Sequence, residues 1–223
     1  MIKKLFCPGL LETGPVSSTL MAVRDGMVNI YILKAPTGLI CIDTGWRPAI
    51  VSHGFEMLGL NIRDVTAVFV THLHWDHARC LSLFAHAEIY VGDSELPPFF
   101  MKRHIDAENL KRVNGDQALS AGGLNARVIE TPGHSSGSVS YVIDDHLLFT
   151  GDTLRLKRGK VVPFLPWLNQ DNKVLNQSIN KLARIKGIKC LLTAHNGIIS
   201  DPQEAFAQWG RADGALQQGG VGS

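Results

Sequence analysis

The chain has 223 residues, 45% of them hydrophobic, enough to bury one substantial core and better matched to one domain than to two. Its 22 Lys and Arg against 20 Asp and Glu leave a formal charge of +2, too small to argue for a nucleic acid or an anionic membrane as partner. No apolar run approaches the length of a membrane span. Met1, Ile2, Lys3 and Lys4 resemble the start of a signal peptide, yet Pro8, Gly9 and Glu12 interrupt any apolar stretch after them, and a cytoplasmic protein is expected. Residues 28–33 and 39–42 read as a β-hairpin turning through Ala35, Pro36, Thr37 and Gly38. A helix is expected over 48–58, then a buried strand from the β-branched run Ala67-Val68-Phe69-Val70. A helix over 76–84 and a strand over 88–91 follow. Further strands are expected at 126–129, 138–143, 146–150 and 190–194, the middle two forming a hairpin through Asp144 and Asp145. Residues 172–185 read as an amphipathic helix with Val174, Leu175, Ile179 and Leu182 on one face. One domain is expected over 1–209, and the Gly- and Gln-rich segment 210–223 is expected to fray.

The most informative segment is Thr71-His72-Leu73-His74-Trp75-Asp76-His77, directly after the strand at 67–70. In extended backbone His72 and His74 project to one side, and a turn into a helix swings Asp76 and His77 toward a second nearby point. Four such side chains crowded together would repel or desolvate one another without a cation to organise them. Imidazole nitrogen with carboxylate oxygen suits zinc, iron, manganese or nickel, and the lack of cysteine in the cluster argues against a closed thiolate zinc site. Three later residues end predicted strands in turns: His134 in Thr131-Pro132-Gly133-His134, Asp152 in Gly151-Asp152-Thr153, and His195 after Cys190-Leu191-Leu192-Thr193-Ala194. Each alone is an ordinary structural residue; with the first motif they complete a set of seven able to hold two metal ions. His53, His86, His104 and His146 have no such context and read as surface or loop residues. Cys7, Cys41, Cys80 and Cys190 show no paired spacing and read as reduced, with Cys80 more readily explained by burial than by proximity to the metal loop.

From about Val28 to about Ile199 the chain resembles the metallo-β-lactamase fold superfamily. Its histidine-x-histidine-x-aspartate-histidine signature matches at His72, His74, Asp76 and His77. Its downstream histidine, bridging aspartate and final histidine match at His134, Asp152 and His195, and its early aspartate motif matches at Ile42-Asp43-Thr44-Gly45. The resemblance implies an α/β fold, a four-layer αββα sandwich, consistent with strands in two groups and helices outside. It implies one metal on His72, His74 and His134, a second on Asp76, His77 and His195, and Asp152 between them. Asp43 would then orient the metal loop by hydrogen bonding, though Asp43-Thr44-Gly45 reads equally well as a simple turn.

Two divalent ions, zinc first with iron or manganese as alternatives, would supply a hydroxide at neutral pH and an electrophile for a carbonyl or phosphoryl oxygen. Asp76 is the candidate catalytic group, able to hold a metal and relay a proton to the leaving group. The expected reaction is hydrolysis of a small ester, lactone, thioester or related bond of a small-molecule substrate, nearest to the lactonase and glyoxalase II-like branches. Glyoxalase II-type thioesterases carry a sizeable helical substrate domain after the last metal histidine, whereas 28 residues follow His195 here. Many lactonases place a tyrosine three residues beyond the bridging aspartate, and this chain has Arg155. The alternatives are an oxygenase similar to persulfide dioxygenases, with one iron on His72, His134 and Asp152, and a phosphodiesterase. Loops around Phe99 and Trp167 are expected to wall the pocket or to pack in a homodimer. Arg155, Lys157, Arg158 and Lys160 could bind a carboxylate or phosphate, or form a solvated charged turn.

Overall fold

The structure is a computed structural model that describes residues 9–96 and 109–210. Cys7, His104, Phe99 with most of its apolar loop, and residues 211–223 lie outside the described residues. Seven strands make the first sheet in sequential order: β1 (Gly14–Pro15), β2 (Leu20–Asp25), β3 (Val28–Ala35), β4 (Gly38–Ile42), β5 (Val65–Val70), β6 (Glu88–Gly92) and β7 (Leu110–Val113). The second sheet takes β8 (Ala118–Ala121), β9 (Leu124–Glu130), β10 (Val139–Ile143) and β11 (Leu147–Phe149). A separate ribbon of β12 (Leu154–Lys157) and β13 (Lys160–Pro163) follows. The chain then rejoins the second sheet through β14 (Cys190–Thr193) and β15 (Gly197–Ser200), giving the order β15-β14-β11-β10-β9-β8.

Period-two alternation distributes these strands over three apolar layers. Val68 and Val70 of β5 pack outward with Val51 and Phe55 of helix α1 (Pro48–Met57), while Ala67 and Phe69 face inward. Between the sheets Phe69 stacks on Tyr141, ring centroids 5.0 Å apart, beside Tyr31 and Phe149. On the far side Val142, Leu148 and Leu191 meet Leu175, Ile179 and Leu182 of an amphipathic helix at Asn172–Ala183. Helix, sheet, sheet and helix give the four-layer α/β sandwich expected from the sequence. No helix among the described residues is long and apolar enough to cross a membrane.

The helix expected over 76–84 is broken. Residues Trp75–Ala78 form a single turn, α2, and Leu81–Phe84 a separate 3-10 turn. The His77 carbonyl, which a continuing helix would need, instead accepts from Thr44 N at 2.6 Å and Thr44 Oγ1 at 2.9 Å, and Cys80 N donates to Gly45 O. A tertiary contact therefore stops the helix. Cys80 is buried in the layer behind the first sheet, as its apolar context indicated. Strands β1, β2, β7, β8, β12, β13 and β15 were not anticipated; β7 and β8 are short, partly exposed and carry no clear apolar alternation. The helix at Asn172–Ala183, here α3, stops two residues before its expected end and is capped by Asp171, whose Oδ1 accepts from Lys173 N and Val174 N.

Two buried tyrosines cross between the sheets and fix their spacing where chemistry-bearing loops begin. Tyr141 of β10 donates to the carbonyl of Val70, two residues before His72, at 3.0 Å. Tyr31 of β3 donates to the carbonyl of Thr193, two residues before His195, at 2.8 Å. Replacing either by Phe removes a donor from a buried carbonyl without emptying the ring's volume. Each change should cost about 1 to 2 kcal/mol in equilibrium denaturation, and a loss below a few tenths would show that these carbonyls are satisfied elsewhere.

Candidate metal centre

Strands β4 and β5 pair in parallel, as do β11 and β14, and β9 runs in the same direction as β11 because both are antiparallel to β10. Their carboxyl ends converge on one edge of the sandwich. Asp43 follows β4, His72 to His77 follow β5, His134 follows β9, Asp152 follows β11 and His195 follows β14. All seven metal-site residues predicted from sequence meet there, and all but the half-buried His74 are buried.

Donor atoms of these residues form three groups able to hold an ion: His72, His74 and His134; His72, His77 and Asp152; and Asp76, His77 and His195, each within 4.8 Å. In the first, His134 Nε2 and His74 Nδ1 face each other at 2.9 Å. Asp152 lies between the groups: Oδ2 faces His134 Nε2 at 3.5 Å, and Oδ1 faces His195 Nε2 at 3.1 Å and His77 Nε2 at 3.5 Å. Asp76 Oδ2 faces His195 Nε2 at 3.5 Å. His72 Nε2, His77 Nε2 and Asp152 Oδ1 are buried without a hydrogen-bond partner. Orphaned polar atoms at that depth are costly unless something completes them, and a cation is the group that all three would accept.

The nitrogens that face away from the centre fix the tautomers. Asp43 accepts from His77 Nδ1 at 2.8 Å. It also accepts from Thr71 N at 2.7 Å and Thr71 Oγ1 at 2.9 Å, so the threonine lone pair is left to take His72 Nδ1–H at 3.1 Å. Asn169 spends its amide N–H groups on Phe164 O and Asn172 Oδ1, leaving Oδ1 to accept from His134 Nδ1 at 2.9 Å. His195 Nδ1 donates to the Met27 carbonyl at 2.6 Å. Four acceptors thus hold four Nδ1 protons, and the Nε2 lone pairs of His72, His77, His134 and His195 converge on the centre.

Electrostatics follow from burial and crowding. His72 is held well below the usual histidine range by burial, then by His77 and His134; His74 is lowered likewise, by burial first. Burial opposes charge on His77 too, but the carboxylates of Asp152, Asp76 and Asp43 outweigh it and raise its pKa well above that range. Asp152 is held well below the usual carboxylate range: burial opposes its charge, but His195 and His77 prevail. The loops themselves are tightly seated. Gly133 (φ 126°) lies where a Cβ would strike the Leu175 backbone, and Gly151 (φ 51°) where one would strike Thr71 Oγ1.

Sequence reasoning foresaw Asp43 only as one of two readings, gave Thr71 no role, and missed three further participants. Glu95 is buried at 5% exposure; it accepts from Ser135 Oγ and, at 3.4 Å, from Leu73 N, tying the His72–His74 loop to the His134 loop. Asn169 precedes the capping Asp171 in a turn, which was a readable signal. Met27 acts through its backbone, for which a sequence carries no signal. The charged cluster divides: Arg155 lines the cavity above the centre, while Lys157, Arg158 and Lys160 are exposed at the turn of the ribbon. His53, His86 and His146 are exposed, as expected.

Asp43→Ala removes the acceptor of three buried hydrogen bonds and should cost about 2 to 4 kcal/mol, whereas Glu95→Gln keeps one acceptor oxygen and should cost about 1 to 2 kcal/mol. Urea denaturation of both variants measures the difference. Equal losses would mean that Asp43 braces the loops no more than Glu95 does.

The family model of the metallo-beta-lactamase superfamily matches residues 23–195. A probable metallo-hydrolase of Methanocaldococcus jannaschii is 30% identical over 162 residues, covering 72% of each chain. A probable polyketide biosynthesis zinc-dependent hydrolase of Bacillus velezensis is 35% identical over 129 residues, covering 56% of this chain and 54% of that protein. Among solved structures, a metallo-beta-lactamase family protein from Thermus thermophilus superposes with a TM-score of 0.67 at 20% identity, over 87% of this chain and 79% of that one, a likeness of fold. The match over residues 23–195 contains every donor described above, and the chain therefore belongs to the metallo-beta-lactamase superfamily as a metallo-hydrolase.

Proposed function

We propose that the protein hydrolyses a small ester, lactone, thioester or related bond at a centre of two divalent ions. His72, His74 and His134 would hold one ion, Asp76, His77 and His195 the other, and Asp152 would bridge them. The observation that carries this reading is the convergence of outward-pinned histidines on three buried, unpartnered donor atoms, His72 Nε2, His77 Nε2 and Asp152 Oδ1. The completeness of the Asp76, His77 and His195 group favours two ions over one. Zinc is the first choice, because the donors are nitrogen and oxygen and a relative is described as zinc-dependent.

Divalent ions bound there would lower the pKa of a water toward ~7 and polarise the carbonyl under attack. The rest falls to side chains. Water's oxygen adds to the acyl carbon, the bond to the leaving group breaks, and the leaving group takes a proton. Asp76 lines the cavity with a carboxylate oxygen 3.5 Å from His195 Nε2 and is the group positioned to hold and pass on that proton. Phe164 packs on both His134 and His195, with ring centroids at 5.1 and 5.4 Å, and keeps bulk water from that side of the donors.

Elemental analysis of protein purified without chelator or added metal tests the reading first. About two equivalents of zinc, or of a mixed pair with iron or manganese, are expected, together with turnover in a panel of lactones, esters, thioesters and phosphodiesters that chelation abolishes and metal restores. About one equivalent of iron with no second ion would overturn it in favour of an oxygenase, checked by oxygen uptake with a persulfide. Asp76→Asn should lower kcat by about 10²- to 10⁴-fold while the ion on His72, His74 and His134 is retained. Unchanged turnover would remove Asp76 from the mechanism.

A further inference from the structure

The cavity over the donor cluster holds about 620 Å³, and its walls are unlike its floor. The floor is histidine and aspartate. Phe164 and Leu165 line the wall, with Trp75, Trp167 and Leu168 at 44%, 73% and 50% exposure around it. Trp75 stands edge-on against Trp46, centroids 4.8 Å apart, so this surface is braced from behind. Large apolar side chains left this open beside a polar centre gain from covering by an apolar ligand.

One wall residue is different. Among the described residues, Arg155 is the only lysine or arginine lining the cavity. On β12 the side chain of Leu154 is buried in the outer apolar layer, and alternation turns Arg155 to the opposite face. Its Nε donates to Pro163 O at 3.3 Å, which orients the guanidinium plane. Among the described residues it makes no ion pair, because the acidic lining groups Asp76 and Asp152 face histidines instead. A partly buried arginine without an ion pair among the described residues can take an anionic ligand, and its planar fork matches a carboxylate bidentately.

We propose that the substrate is an amphipathic carboxylate, whose anionic group is taken by Arg155 and whose apolar body lies along Trp75, Phe164, Trp167 and Leu168. The substrate class rests on the hydrolase reading above, but the subsite itself is a binding property. The three basic residues at the tip of the ribbon do not contribute to it, being exposed beyond the cavity lining.

Equilibrium binding tests this apart from turnover. Metal-loaded protein is titrated by calorimetry with 4-phenylbutanoate and with its neutral amide, for the wild type, Arg155→Gln and Arg155→Lys, with metal content measured in each. The wild type should prefer the acid by about tenfold to a hundredfold. Arg155→Gln should abolish the preference with the amide's Kd changed less than about twofold, and Arg155→Lys should retain part of it. A Trp167→Ala, Leu168→Ala double variant should weaken both probes together. If Arg155→Gln keeps the preference, the carboxylate is held by the metals and the subsite is refuted; failure of the wild type to bind either probe refutes it as well. Failure of the hydrolysis panel alongside an intact binding pattern would refute the hydrolase reading and leave the subsite standing.

Discussion

The carboxylate of Asp43 is the fixed point of this molecule. It sits at the end of β4 in the left-handed region, φ 60°, a conformation that a non-glycine residue adopts at some cost. From there it takes three hydrogen bonds, from Thr71 N, Thr71 Oγ1 and His77 Nδ1, across a separation of 28 to 34 residues. One buried anion thus sets the start of the donor loop, the tautomer of His77 and, through Thr71, the tautomer of His72. Thr44, next in sequence, takes the His77 carbonyl and ends the helical turn there.

The sandwich makes that fixed point useful. Strand direction brings five carboxyl ends to one edge, and Tyr31 and Tyr141 lock the two sheets together within two residues of His195 and His72. Loops held at both ends by paired strands lose little further entropy when their side chains are ordered, which is how a sheet presents a preorganised donor set. Glu95 supplies the remaining tie, joining the loop after β5 to the loop after β9 through Leu73 and Ser135. The donors are therefore pinned from the polypeptide side, and their free lone pairs define the space that a cation would enter.

Around that space the protein spends apolar rather than polar surface. The β12–β13 ribbon buries Leu154 and Val161 against α3 and turns Arg155 toward the cavity, and Phe164 and Leu165, just beyond β13, line it as well. The same strand alternation that anchors the ribbon through Leu154 therefore turns Arg155 into the wall. Asn169, which orients His134, also donates to Phe164 O and Asn172 Oδ1, so the wall and the donor cluster share a hydrogen-bond network. A change of wall residue that moved Phe164 would be felt at His134.

The set of candidate donors was legible in the sequence alone, because it resides in side-chain type and local spacing: His72, His74, Asp76 and His77 lie within six positions after a strand, and His134, Asp152 and His195 each end an apolar run in a turn. The sandwich was legible for a similar reason, since alternation in β5 and β10 and the 3.6-residue period of α3 record which face each element buries. Tertiary structure decided what those patterns do not encode. The acceptors of the Nδ1 protons are 35 residues from His134 at Asn169 and 168 residues from His195 at Met27, the latter a backbone carbonyl. The expected helix over 76–84 failed because Thr44 competes for the His77 carbonyl, a contact visible only once β4 lies beside β5. Arg155 separated from Lys157, Arg158 and Lys160 because the ribbon bends one face toward the cavity and leaves its tip in solvent. Local pattern fixes which atoms can bind; only packing brings the distant partners that orient them and the walls that choose what they meet.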